Sequence, residues 1–290
     1  MGLIRQGGVT GTSREDWQTD QKASGRYCHF AGITMSKETP EELEARGFFE
    51  FLGYVVTRVP ETSGSQRADY AIANGVDQFI AEVKSRGRDE DFERSMERFG
   101  HAESQRAAGR SNPISRQISV AGRQLAATAA EDPSLLRIIV FVAAGDDPEL
   151  QVDQFQATLY GTVDLLREDV GGAVAVPCFY FTFSDFCRLP GIDAAVVLVP
   201  PTARLCVNSF GVRRDRLGES NLYKALSAVG AVTDPEAQER LGQAFLADTD
   251  IDRRDEAAML GYVRSKYGLP ELLPFKPTKY RAAVNVPRQT

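Results

Sequence analysis

The apolar positions of this chain fall into short runs with two different periods. From Thr39 the pattern is helical. Thr39 suits the cap, Pro40 the first position, and Glu41 and Glu42 the first turn, while Leu43, Phe48, Phe51 and Leu52 give one apolar side before Gly53. Residues 54–59 are rich in β-formers and predict a strand. Residues 68–73 and 78–84 read as strands on either side of Asn74-Gly75, a strong hairpin signal. The polar stretch 86–113 carries charge of both signs and is expected to be helical in part. A helix at 114–130 and an apolar strand at 135–143 follow, closed by Gly145-Asp146-Asp147-Pro148. Further on, the pattern predicts a helix at 154–168, strands at 178–183, 194–199 and 204–210, and helices at 221–229, 235–247 and 255–267. The Pro-rich tail from Pro270 is expected to be irregular. So are the first 36 residues, apart from a short strand near 27–30. The expected organisation is an irregular leader (1–36), an α/β core with a mixed central sheet flanked by helices (37–150), and an α/β C-terminal extension (151–290).

The hairpin carries the chemistry. Side chains alternate faces along a strand, so Glu82 and Lys84 share one face while Phe79, Ala81 and Val83 take the other. With a two-residue loop Asp69 lies opposite Ile80, and with a four-residue loop it lies opposite Glu82. Either register puts Asp69, Glu82 and Lys84 on one face. The two carboxylates would then be about 5–8 Å apart, close enough to hold one divalent ion between them. Unpaired acids at that spacing repel, and a cation relieves the repulsion. A hard ion such as Mg²⁺, or Mn²⁺ in its place, suits oxygen ligands. Lys84 would stand where an ammonium can orient a water or balance charge on a phosphoryl group.

Asp69, then a hairpin, then Glu82-Val83-Lys84 at the end of an apolar strand, resembles the PD-(D/E)XK, or restriction-endonuclease-like, nuclease superfamily. The order helix, strand, hairpin, helix, apolar strand over residues 37–145 also matches, although Ala68 stands where the family often has proline. The resemblance implies Mg²⁺-dependent hydrolysis of phosphodiester bonds, in DNA before RNA. It makes Asp69, Glu82 and the Val83 carbonyl the metal ligands and Lys84 the catalytic lysine. It also implies an acid from the preceding helix, for which Glu44 is the candidate ahead of Glu41 and Glu50. Glutamines facing the site from the following helix fit Gln117 and Gln124, seven apart on one helix face. By analogy it suggests a part in restriction or defence. A nuclease-like nucleic-acid-binding scaffold that does not cut is the alternative.

Composition bounds these expectations. Net charge is −6 and the pI near 5.2, so any nucleic-acid contact must come from local basic clusters. Arg106, Arg110, Arg116 and Arg123 form one cluster and Arg213, Arg214 and Arg216 another. A solvated face is the plain reading of either alone. Within the first cluster, Arg116 and Arg123 are the expected contacts to nucleic acid. Cys28, Cys178, Cys187 and Cys206 make no zinc-like spacing, and Cys178 and Cys206 sit in apolar runs. No P-loop or dinucleotide fingerprint occurs, so no bound nucleotide cofactor is expected. No apolar run approaches the roughly 18 residues of a membrane span, and a cytoplasmic location is expected. The C-terminal half would supply substrate contacts or a homodimer interface.

Overall fold

A computed structural model of the chain describes residues 38–60, 67–86, 102–107, 109–145, 147–276 and 280–285, with 102–107 and 280–285 described by backbone alone. In chain order the first elements are α1 (Pro40–Phe51), β1 (Val55–Arg58), β2 (Tyr70–Ala73), β3 (Gln78–Arg86), β4 (Ala102–Ala107), α2 (Asn112–Thr128), β5 (Leu136–Ala143) and α3 (Pro148–Tyr160). Then come β6 (Val163–Asp169), β7 (Gly172–Phe179), α4 (Asp185–Arg188), β8 (Ala194–Val199), β9 (Thr202–Val207), α5 (Arg214–Glu219) and α6 (Asn221–Ala228). Last are β10 (Val232–Thr233), α7 (Pro235–Arg240), β11 (Phe245–Leu246), α8 (Glu256–Tyr267), β12 (Leu273–Phe275) and β13 (Tyr280–Asn285).

Seven strands form a mixed central sheet in the order β1-β2-β3-β5-β8-β9-β10. The pairs β3–β5, β5–β8 and β9–β10 are parallel, and the others antiparallel. β5 explains why its sequence is apolar almost throughout. Ile139 and Phe141 enter a core with Ile114, Ile118 and Leu125 of α2 and Phe155 of α3. Ile138, Val140 and Val142 enter a second core with Ala45 and Phe49 of α1 and Leu222 of α6. A strand covered on both faces needs no polar alternation. The expected α/β class with a mixed sheet and flanking helices holds. The sheet takes strands from both sides of residue 150, so the division expected there lies within one sheet. A smaller sheet, β11-β7-β6-β12, packs its own core against Met259 and Val263 of α8. β4 and β13 make a separate two-stranded ribbon.

Several expected elements need correction. The helix expected at 154–168 begins earlier and ends at Tyr160, because Gly161 takes a left-handed conformation (φ 57°), and β6 follows. The helix expected at 235–247 stops at Arg240, before a turn at Gly242 (φ 69°) and β11. The polar stretch 86–113 contains β4, and the tail expected to be irregular contains β12 and β13. The leader with its expected strand, Cys28 and the two histidines lie outside the described residues. Among the described residues no helix is long and apolar enough to cross a membrane.

Gly161 has a second reason to be glycine. A Cβ there would meet the Thr182 and Phe183 carbonyl oxygens at 2.5 and 2.6 Å. Gly161→Ala is expected to cost at least about 2 kcal/mol and to lower the melting temperature by roughly 5 °C, readable by thermal denaturation.

Candidate metal-binding and catalytic site

The hairpin adopts the longer of the two registers. Ala73 pairs with Gln78, leaving a four-residue loop, Asn74 to Asp77. The Asn74 side chain closes it by accepting from the backbone N–H groups of Val76 (3.2 Å) and Asp77 (2.8 Å), with Gly75 at φ 84°. The same register sets Asp69, one residue before β2, opposite Glu82. Its N–H donates to the Ala81 carbonyl at 3.0 Å, and its carboxylate accepts from the Val83 N–H at 2.7 Å. The N–H and C=O of one strand residue point the same way. The Val83 carbonyl is therefore turned to the same gap, past the start of β2, as the Asp69 carboxylate.

Glu82 is buried (1% exposed) on the face that carries Ile80, under α2. The Lys84 ammonium donates to Glu82 Oε1. Glu82 Oε2 has no donor, and the Asp69 carboxylate lies beside it. Burial, then the Asp69 charge, push the Glu82 carboxyl up to about 7, against the pull of Lys84. Asp69 is also raised, first by burial, although the Val83 N–H and Lys84 oppose this. The pair thus holds a proton more readily than isolated carboxylates do. Chemically it is a desolvated, electron-rich site with one cationic side chain.

Gln117 and Gln124 lie on α2 at either end of this pair. The Gln117 amide donates to the Ser85 carbonyl at 3.2 Å, one residue past Lys84. The Gln124 amide donates to the Arg67 carbonyl at 3.4 Å, two residues before Asp69. Their oxygens, like Glu82 Oε2, are buried without a partner. These are three of the four buried side-chain oxygens so left among the described residues. An acceptor without a donor is costly in a protein interior. Of the three, Glu82 Oε2 belongs to the carboxyl that the Asp69 charge reaches, and a hard cation suits that oxygen. Only two carboxylates contribute, and among the described residues no group of three His, Cys, Asp or Glu side chains is gathered for a metal.

Glu44 does not join them. It is exposed on α1, whose inward stripe is Ala45 and Phe49. Phe51, read from the sequence as part of the apolar side, is itself 88% exposed. The helix acid that the Asp69 carboxylate feels is Glu42, three and seven positions before Ala45 and Phe49. Glu42 also completes the capping box with Thr39 and pairs with Arg58 of β1 at 3.3 Å. Arg58 in turn acts electrostatically on Asp69. The spacing of Glu42 to the inward stripe was the available signal.

The basic residues separate cleanly. Arg116 and Arg123 are exposed on α2, each adjacent in sequence to one of the two glutamines. The second cluster is structural. Arg213 binds the buried Asp193 at 2.8 Å and the Gly191 carbonyl at 2.8 Å, and Arg214 pairs with Asp234 and Glu236. Cys178 and Cys206 are buried, as their apolar runs predict. The chain matches no protein family, no curated protein and no solved structure.

Proposed function

We propose that the protein is a Mg²⁺-dependent nuclease with a restriction-endonuclease-like core, hydrolysing phosphodiester bonds in DNA. The observation that carries this reading is the half-buried Asp69 beside the buried Glu82, with an unpartnered Glu82 oxygen and a single lysine. A structural ion pair needs one acid for one base. A second, desolvated acid beside the first destabilises the fold, and such groups cluster where chemistry needs them. Asp69, Glu82 and the Val83 carbonyl would hold the ion, and Mn²⁺ would serve in its place. When bound, the ion supplies charge stabilisation at the phosphoryl group and a more acidic water. The Lys84 ammonium, fixed by Glu82 Oε1, orients the attacking water and balances negative charge at the phosphorus. Gln117 and Gln124 position water around the pair, and Arg116 and Arg123 meet the phosphate backbone. A role in restriction or defence fits this activity by analogy with its class.

The test is incubation with supercoiled plasmid, linear duplex and single strands, with Mg²⁺, with Mn²⁺ and with EDTA. Metal-dependent cutting is expected, falling at least about a hundredfold in Lys84→Ala. Absence of cutting together with an unchanged melting temperature on adding either metal would overturn the site. Metal stabilisation and duplex binding without cutting would favour the silent scaffold instead.

A further inference from the structure

Arg86, the last residue of β3, falls on the face that carries Glu82 and Lys84. Residues two apart on a strand share a face, each about 6.6 Å from the next along the strand. The partners of these three on β5 are Ile139, Phe141 and Ala143, all members of the core that α2 and α3 cover. Arg86 is half-buried there. Glu82, Lys84 and Arg86 therefore form one row beneath the two helices, with the guanidinium on the lysine side of the carboxylates.

Glutamines from both helices hold the end of this row. Arg86 Nη1 donates to Gln154 Oε1 at 2.7 Å. The Gln151 amide donates to the Arg86 carbonyl at 3.1 Å, and Gln151 Oε1 accepts from the Gly145 N–H, just past β5, at 3.3 Å. From α2, Gln117 holds the Ser85 carbonyl. Gln151 and Gln154 are buried, at 6% and 9% exposed. Two buried glutamines of α3 thus fix both the backbone and the side chain of one arginine. Burying an amide is costly unless it is hydrogen-bonded, and apolar residues at these places would fill the core without that cost. What the arrangement secures is a guanidinium in a set direction beside the lysine. Gln154 is a neutral acceptor, so it orients the group without cancelling its charge, and it takes only one of the N–H donors a guanidinium carries. Arginine presents those donors as a planar fork that fits phosphate oxygens.

We propose that Arg86 binds a phosphate of the DNA strand neighbouring the one at Asp69 and Glu82, and that Gln154 is its positioning residue. The choice of DNA rests on the nuclease reading, but the contact can be measured without cleavage. Roles then divide along the row. The carboxylates hold the ion, Lys84 serves the reacting phosphate, and Arg86 sets how the strand lies across the site.

The measurement is binding of a short labelled DNA duplex in EDTA by fluorescence anisotropy, over about 0.05–0.2 M salt, with melting temperatures taken alongside to show that each variant is folded. Loss of one phosphate contact in Arg86→Met lowers the slope of log affinity against log salt by about 1 and weakens binding roughly tenfold near 0.1 M salt. Arg86→Lys keeps the charge and restores most of the slope. Gln154→Glu leaves Arg86 in place and sets a carboxylate against it, so binding weakens as in Arg86→Met. An arginine that only packs would leave binding unchanged in Gln154→Glu, and this variant decides the matter if Arg86→Met does not fold. In the cleavage assay Arg86→Met raises KM more than it lowers kcat, the reverse of Lys84→Ala. Unchanged affinity and slope in the folded variants would overturn the contact, whether or not the protein cuts DNA. Arg86-dependent binding without any metal-dependent cutting would keep the contact and remove the nuclease.

Discussion

Glu82→Gln is expected to abolish metal-dependent cleavage and, in the same protein without metal, to raise the melting temperature at pH 8. The first effect follows from losing one of two carboxylates for the ion, and should exceed about a thousandfold. The second follows from linkage. The Glu82 carboxyl is raised from an ordinary 4.5 to about 7 by burial and by Asp69. A raised carboxyl favours the folded state fully only below its ordinary value, and that contribution is lost as pH climbs through about 7. At pH 8 the native protein therefore carries a penalty on the order of 3 kcal/mol. Glutamine keeps the shape and removes the charge. Lys84 then loses its partner, which offsets about 1 kcal/mol. The remainder is a rise of roughly 2–6 °C at pH 8, vanishing towards pH 5, where Glu82 is already protonated in the native state. Melting in EDTA across this range checks it. A variant that melts lower at every pH would make Glu82 half of an ordinary ion pair.

The placement of Asp69, Glu82 and Lys84 on one face was legible because it depends on parity. Asn74-Gly75 fixes a turn, strand residues alternate, and both allowed loop lengths bring Asp69 to the face of Glu82 and Lys84. The loop length itself was not legible. It depends on Asn74 closing four residues with its side chain, which competes with the two-residue turn that Asn-Gly favours elsewhere. The helix acid was misplaced because Leu43 and Phe51, apolar but 51% and 88% exposed, drew the amphipathic face away from Ala45 and Phe49. β6 was missed because its charged end, Arg167 to Asp169, reads as a solvated helix turn and belongs to a hairpin whose tip is exposed. The β4–β13 pairing joins segments far apart in the sequence, and no local period encodes such a contact. The arginines after residue 212 looked like a patch. They are consumed by Asp193, Asp234 and backbone carbonyls, which only the tertiary fold brings near.

Asp77→Ala should have the opposite sign to Glu82→Gln, and a larger size in stability. Asp77 is nearly as buried as Glu82, at 4% exposed, but its Oδ2 is surrounded by donors. It accepts from the Tyr54 hydroxyl at 2.6 Å and from the Asn221 and Leu222 N–H groups at 2.8 and 3.4 Å. The site hairpin is thereby tied to the first turn of α6, where unpaired N–H groups and the helix dipole favour a negative charge. Burial first, and then Asp77, hold the Tyr54 phenol well above its ordinary range. Alanine would leave a buried hydroxyl and two helix N–H groups without an acceptor, a loss of about 3–5 kcal/mol and roughly 10 °C in melting temperature. Asparagine should recover part of it, since its oxygen still accepts. What separates the two acids is how their oxygens are used. Three donors, the Tyr54 hydroxyl and two N–H groups of α6, surround Asp77 Oδ2 and make it a brace. Asp69 and Glu82 are held against each other with an oxygen left over, and that surplus of acceptors is what a cation would satisfy.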